Sequence, residues 1–171
     1  MPRNVEIKVR LNEPSKAHAI AARLSGAQPE QIAQRDVFFT TAHGRLKLRI
    51  FADRQAELIQ YHRPSTQGIR LSEYRIARTP DAPILLEILT RALGVAGEVR
   101  KIRSLYRIGQ TRVHIDCVEG LGDFLEFEVV LAPNQSEAEG TRVAEELLKQ
   151  FEIDRAALIG EAYVDLLLGA T

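Results

Sequence analysis

From Asn4 to Leu11 the chain alternates, with Val5, Ile7, Val9 and Leu11 on one side and Asn4, Glu6, Lys8 and Arg10 on the other. A period of two is that of a β-strand dividing two unlike environments. The pattern returns along the chain. Arg45, Lys47 and Arg49 oppose Leu46, Leu48 and Ile50; Glu73 and Arg75 oppose Tyr74 and Ile76; Lys101 and Arg103 flank Ile102. Further on, Arg112, His114 and Asp116 oppose Val113, Ile115 and Cys117, and Glu126 and Glu128 oppose Leu125, Phe127, Val129 and Leu131. Two more strands are predicted at 36–40 and 57–63, with Ala42-His43-Gly44 as a hairpin turn and 64–68 as a loop. Residues 28–35 are polar and commit to no element.

The period lengthens in three places. Pro14 or Ser15 opens a helix with the apolar stripe Ala17, Ile20, Ala21 and Leu24, and Gly26 stops it. Pro83 opens a second, carrying Leu85, Leu86, Ile88, Leu89 and Leu93 up to Gly94. Ser136 and Glu139 have capping-box spacing ahead of Val143, Leu147, Leu148 and Phe151. A short last helix is predicted from Glu161 to Leu168.

Strands with an apolar side for helices and a charged side of their own form either an open sheet, charged face in water, or a barrel with the charge inside. Two features favour the barrel. The charged sides are nearly unbroken Arg and Lys, where a solvated face mixes in Ser, Thr and Gln. Glu126 and Glu128 also share a face, and like charges that close repel unless a cation lies between them. The expected fold is α+β: a closed or nearly closed antiparallel barrel with a charged interior, flanked by helices, as one domain over residues 1–171.

Composition narrows the classes of function. Lys+Arg and Asp+Glu both number 23, so no net charge draws the chain to nucleic acid or membrane, and any anion site must come from local placement. Acids among the basic strands further disfavour a nucleic-acid backbone. No apolar run approaches the ~18 residues of a membrane span. The lone cysteine, Cys117, excludes an internal disulfide, fits a reducing cytoplasm, and reads as a buried thiol on an apolar strand face. A homodimer is compatible with the chain, but no stretch demands one. There is no Gly-x-Ser-x-Gly elbow and no phosphate loop, and His18, His43, His62 and His114 lack zinc spacing.

The polar sides of the strands collect the bases Lys8, Arg10, Lys47, Arg49, Arg63, Arg75, Lys101, Arg103 and Arg112 with the acids Glu6, Glu73, Asp116, Glu126 and Glu128. Carboxylates suit Mg²⁺ or Mn²⁺, and guanidinium and ammonium groups suit phosphate oxygens. Together they describe a site for a metal-bound polyphosphate, most simply a nucleoside or organic triphosphate, with catalysis by positioning and charge neutralisation.

Asn4-x-Glu6-x-Lys8 is similar to a Glu-x-Glu-x-Lys signature, Leu46-Lys47-Leu48-Arg49 to a basic third strand, and Lys101-Ile102-Arg103 to a Lys-x-Arg strand. The run from Asp116 through Gly120-Leu121-Gly122 to Phe124, Glu126 and Glu128 resembles Asp…Gly-Leu-Gly-x-Phe-x-Glu-x-Glu. In this order the motifs resemble the CYTH superfamily, which joins class IV adenylyl cyclases with thiamine and inorganic triphosphatases, and most closely its cyclase-like branch. The resemblance implies an eight-stranded antiparallel β-barrel, a triphosphate tunnel, with Mg²⁺ or Mn²⁺ on Glu6, Glu126 and Glu128 and Asp116 as a further acid. It puts phosphate on Lys8, Arg10, Lys47, Arg49, Arg63, Lys101 and Arg103, with Arg75 and Arg112 as further bases, and catalysis on Glu6, Lys8, Arg63 and Asp116. Tyr163 looks like a C-terminal tyrosine that closes one tunnel end. The implied reaction is ATP to cyclic AMP and pyrophosphate. Alternatives are hydrolysis of an inorganic or organic triphosphate, or a tunnel that binds without turnover. Asn4 departs from the signature and leaves the site one carboxylate short.

Overall fold

A computed structural model describes residues 2–62 and 68–169. The strands are β1 (Arg3–Arg10), β2 (Glu30–Phe39), β3 (Arg45–Phe51), β4 (Ala56–His62), β5 (Arg70–Thr79), β6 (Val95–Ile108), β7 (Thr111–Val118) and β8 (Gly122–Val130). They close an antiparallel barrel in the order β1-β5-β4-β3-β2-β6-β7-β8, with β8 returning to β1. The helices α1 (Pro14–Ser25), α2 (Ala82–Leu93), α3 (Glu137–Gln150) and α4 (Tyr163–Gly169) flank it.

The core lies outside the barrel wall. Val5, Ile7 and Val9 of β1, Val113 and Ile115 of β7, and Leu125, Phe127 and Val129 of β8 pack against Ala17 and Ala21 of α1 and Ala144, Leu147 and Leu148 of α3. On the opposite side Ala82, Leu85, Leu86 and Leu89 of α2 cover Val37, Phe39, Leu48 and Ala56. With hydrophobic burial placed outside, the interior is released from packing and can be polar. The predicted caps hold: Gly26 ends α1 in the left-handed region at φ 65°, and Ser136 and Glu139 form both bonds of a capping box on α3.

Three sequence expectations are corrected. Residues 30–35, uncommitted in sequence, are the first half of β2, paired with β6 from Glu30↔Leu105 onward. Ile32, Gln34 and Asp36 face a wet interior, so no apolar side announced the strand. On β5 the inward face is Ser72, Tyr74, Ile76 and Arg78, so Arg75 and Glu73 lie on the outer face. Asn4 faces inward and pairs with Ser72, and directly paired residues share a face. Cys117 is exposed, because no helix covers that end of β7; its cross-strand partner Ile102 is also half exposed.

One end of the barrel is plugged. Phe38, Val99 and Phe124 point inward and pack on Ala162, Tyr163 and Val164. The plug is tied to the wall by Arg45, which grips Asp165 at 2.7 and 3.0 Å, and by Arg70, which donates to the Gly160 carbonyl. Gly97 of β6 allows the close approach, since a Cβ there would sit 2.5 Å from Val164 Cγ2. Gly97→Ala is therefore expected to cost about 1–3 kcal/mol through overpacking, read as a lower urea midpoint at unchanged slope.

Candidate active site

Opposite the plug the barrel opens as a cavity of about 460 Å³ whose wall is charged. Two rows cross β1, β8 and β7. Glu6, Glu128 and Arg112 are register partners in one; Lys8, Glu126 and His114 form the next. From β3 and β6 come Lys47, Arg49, Lys101 and Arg103. Each reaches the interior because the alternation seen in sequence turns its neighbours to the outer face of the wall.

Two buried aspartates organise the bases. Asp36 receives Arg49 through two hydrogen bonds of 2.8 Å and Lys47 through a third of 2.8 Å. Asp116, fully buried, receives Arg103 at 2.7 and 2.6 Å and the Tyr163 hydroxyl at 3.1 Å, with Lys101 at 3.3 Å. Asp116, implied by the resemblance as a metal ligand and catalytic acid, thus has both oxygens engaged, does not line the cavity, and fixes the two β6 bases from behind. Asp36, which does line the cavity, holds the two β3 bases in the same bidentate-plus-lysine pattern and was missed in sequence. Its only signal is an acid at an inward position beside an apolar run, Val37-Phe38-Phe39.

Arg103 also reaches Glu126 Oε2 at 3.1 Å, and Arg112 donates to Glu128 Oε2 at 2.8 Å. Lys8 donates to the Glu161 carbonyl at 3.2 Å and stands 4.0 Å above the Tyr163 ring. Arg10 does not face the cavity: it is exposed, stacks on Phe124 at 4.7 Å and donates to the Leu121 carbonyl, pinning the β7–β8 turn. Arg75 is on the outer face, and Arg63 lies outside the described residues.

Among the described residues one cluster has metal-ligating geometry: His114, Glu126 and Glu128, with donor atoms within 4.8 Å of one another. Arg112 takes Oε2 of Glu128, while Oε1 faces His114 Nδ1 at 3.9 Å. Glu6 lines the same cavity outside that cluster and accepts from Asn4 Nδ2 at 3.3 Å. Two buried polar atoms of cavity-lining residues, His114 Nδ1 and Asn4 Oδ1, have no hydrogen-bond partner. An oxygen-rich set with unfilled donors fits a divalent cation.

The field favours an added anion. Burial, with Arg49 and Lys101 nearby, pushes Lys47 down to about 7 despite its bond to Asp36. Burial and Arg103 also lower Lys101. Burial opposes ionisation of Asp36, but Arg49 and Lys47 outweigh it and hold the carboxyl well below its ordinary range. Burial and Arg103 keep His114 below the usual imidazole value.

Bound triphosphate would restore the charge on Lys47. A group near 7 when empty and charged when bound takes up roughly nine-tenths of a proton at pH 8, so affinity falls as pH rises above about 7. Calorimetry with a non-hydrolysable ATP analogue at pH 8, in buffers of differing ionisation enthalpy, measures the uptake. Lys47→Met is expected to remove that share; equal uptake in both proteins would contradict it.

A family model described as the CYTH domain matches residues 2–163. A candidate adenylate cyclase of Methanocaldococcus jannaschii is 25% identical over 169 residues, covering 95% of this chain and 97% of that protein. A Pyrococcus horikoshii structure superposes with a TM-score of 0.80 at 20% identity, covering 95% of this chain and 98% of that one. A Hippeastrum adenylyl cyclase candidate, described as revealing a dominant triphosphatase activity, gives 0.68 at 19% identity over 98% and 96% of the two chains. At these identities the structural matches carry the fold alone.

Proposed function

The chain belongs to the CYTH family, and from that premise we propose that it is a divalent-metal-dependent enzyme that converts ATP to cyclic AMP and pyrophosphate inside the barrel. The observation carrying this reading is the pairing within one cavity of the Glu126–Glu128–His114 cluster with bases held in place by Asp36 and Asp116.

Glu126 and Glu128, with Glu6 beside them, would hold Mg²⁺ or Mn²⁺. The bound ion supplies charge neutralisation at the phosphoryl oxygens and makes the attacking hydroxyl more acidic. Lys47, Arg49, Lys101 and Arg103 bind the β- and γ-phosphates, their heads already set by the two aspartates, so little reorganisation remains for the reaction. The ribose 3′-oxygen bonds to the α-phosphorus, the bond from that phosphorus to the α,β-bridging oxygen breaks, and pyrophosphate leaves with its charge met by the same bases. The hydroxyl proton passes to solvent. Lys8, on the β1 face beside Glu126, adds positive charge to the phosphate-binding wall.

Hydrolysis is the second reading, favoured by the triphosphatase activity of the Hippeastrum relative. Water then attacks the γ-phosphorus, with the same residues holding the chain. Incubation with ATP, tripolyphosphate and thiamine triphosphate in turn, with Mg²⁺ or Mn²⁺ and chromatography of the products, separates the readings. Cyclic AMP with pyrophosphate supports cyclisation, orthophosphate supports hydrolysis, and no product from any of them contradicts both and leaves a tunnel that only binds.

A further inference from the structure

We infer that His114 is a nitrogen ligand to the cation in this tunnel and that it makes the site select Mn²⁺ over Mg²⁺. The inference rests on the reading above that the cavity holds a divalent ion. His114 is only 3% exposed, yet its Nδ1 has no hydrogen-bond partner. A buried ring nitrogen left without one is costly, and natural structures rarely keep such an atom idle. It is aimed at two carboxylates, 3.8 Å from Glu126 Oε2 and 3.9 Å from Glu128 Oε1.

Those separations are too long for hydrogen bonds and lie between the two ligand–ligand spacings of a single octahedral ion. Ligands at roughly 2.1 Å from an octahedral centre stand about 3.0 Å apart when adjacent and about 4.2 Å apart when opposite. The register makes the placement rigid, because His114 and Glu126 are direct cross-strand partners and Glu128 is the next inward residue of β8. Arg112 holds the far oxygen of Glu128 and leaves Oε1 toward His114, while Arg103 donates to Oε2 of Glu126, the oxygen nearest His114, so an ion at this place would share that oxygen with Arg103.

Donor chemistry then sets the preference. Mg²⁺ demands near-ideal octahedral oxygen ligation, whereas a first-row transition ion accepts imidazole readily and binds a mixed N/O site more tightly. On the β1 side, Asn4 offers a neutral amide oxygen where a carboxylate would have drawn Mg²⁺ more strongly. The ion's best ligands are thereby gathered on β7 and β8.

The test uses the purified full chain and the metals alone. Calorimetry with MnCl2 and MgCl2 is expected to give at least tenfold tighter binding of Mn²⁺, and pulsed EPR of the Mn²⁺-loaded protein is expected to show nitrogen modulation of the imidazole type. His114→Gln should abolish the modulation and shrink the Mn²⁺ preference to within about threefold. Mn²⁺ bound tightly by the wild-type chain without nitrogen modulation would overturn the inference and leave the metal-dependent reading standing, and this outcome needs no variant to fold. A preference for Mn²⁺ unchanged in a folded His114→Gln protein would overturn it equally. Failure of either metal to bind, with or without tripolyphosphate, would remove the metal-dependent reading and this inference with it.

Discussion

Asp116→Ala is expected to destabilise the protein by about 3–5 kcal/mol, because it leaves Arg103 and Lys101 buried beside one another without their shared carboxylate. The guanidinium and ammonium are both largely buried at the cavity wall, so water replaces the lost carboxylate poorly. The Tyr163 hydroxyl loses its acceptor in the same step, which loosens the plug. For a chain of this length the loss reads as a fall in melting temperature of roughly 10 °C or more. Tripolyphosphate should restore part of it, since its oxygens offer the stranded bases a new anion. The contribution also has a defined pH window. Asp36 and Asp116 are held below ordinary carboxylate values in the folded protein, so their stabilisation is present above about pH 4 and is lost as pH falls through the depressed folded values. Wild type and Asp116→Ala should therefore converge in acid. A variant that melts within 2 °C of wild type at neutral pH would show that the buried aspartate does not organise the bases.

Glu126→Gln and Glu128→Gln are each expected to lower metal-dependent turnover by about 10²–10³-fold, by removing a charged ligand and half of the paired-acid arrangement. Both amides keep the shape of the side chain, and the packing outside the wall is untouched because these residues face inward while Leu125 and Phe127 face the helices. Melting should thus change far less than turnover. Neutralising an acid also removes repulsion toward phosphate, so metal-free binding of tripolyphosphate should strengthen. Arg75→Ala is the contrasting change: the residue lies on the outer face of β5, and turnover should stay within about twofold, the small effect usual for exposed substitutions. Turnover of both glutamine variants is read at saturating Mg²⁺ and at saturating Mn²⁺; activity near wild type under either would place the metal elsewhere.

Much of this site could be read in the sequence, and the reason is architectural. Where a strand has a helix on its outer face, as β1, β7 and β8 do, the outward residues must be apolar and the inward ones stand out by contrast. Lys8, Glu126 and Glu128 emerged that way, and so did the helix ends at Gly26 and Ser136, whose chemistry is local. The signal failed where the outer face is bare. On β5 charged residues stand outside and Tyr74 and Ile76 inside, so Arg75 was placed on the wrong face. On β2 both faces are polar at one end, so Gln34 was not seen as a wall residue. Cys117 shows the same limit, since an apolar position on an uncovered strand end remains exposed. Pairing partners were a further gap. That Asp36 and Asp116 accept hydrogen bonds from neighbouring bases depends on which strands adjoin, β2 with β3 and β6 with β7, and strand order is a property of the closed barrel rather than of any one stretch. The plug is of this kind too: Arg45 and Arg70 find Asp165 and Gly160 across separations of 120 and 90 residues.

The central claim is that this tunnel takes a triphosphate together with a divalent cation. Calorimetric titration of the protein with a non-hydrolysable ATP analogue, with and without Mn²⁺, tests it directly. Saturable one-to-one binding that tightens at least tenfold when Mn²⁺ is present, and loses that gain in Glu128→Gln, is the expected result. Binding of equal strength with and without the metal, or no binding in either case, would contradict the account.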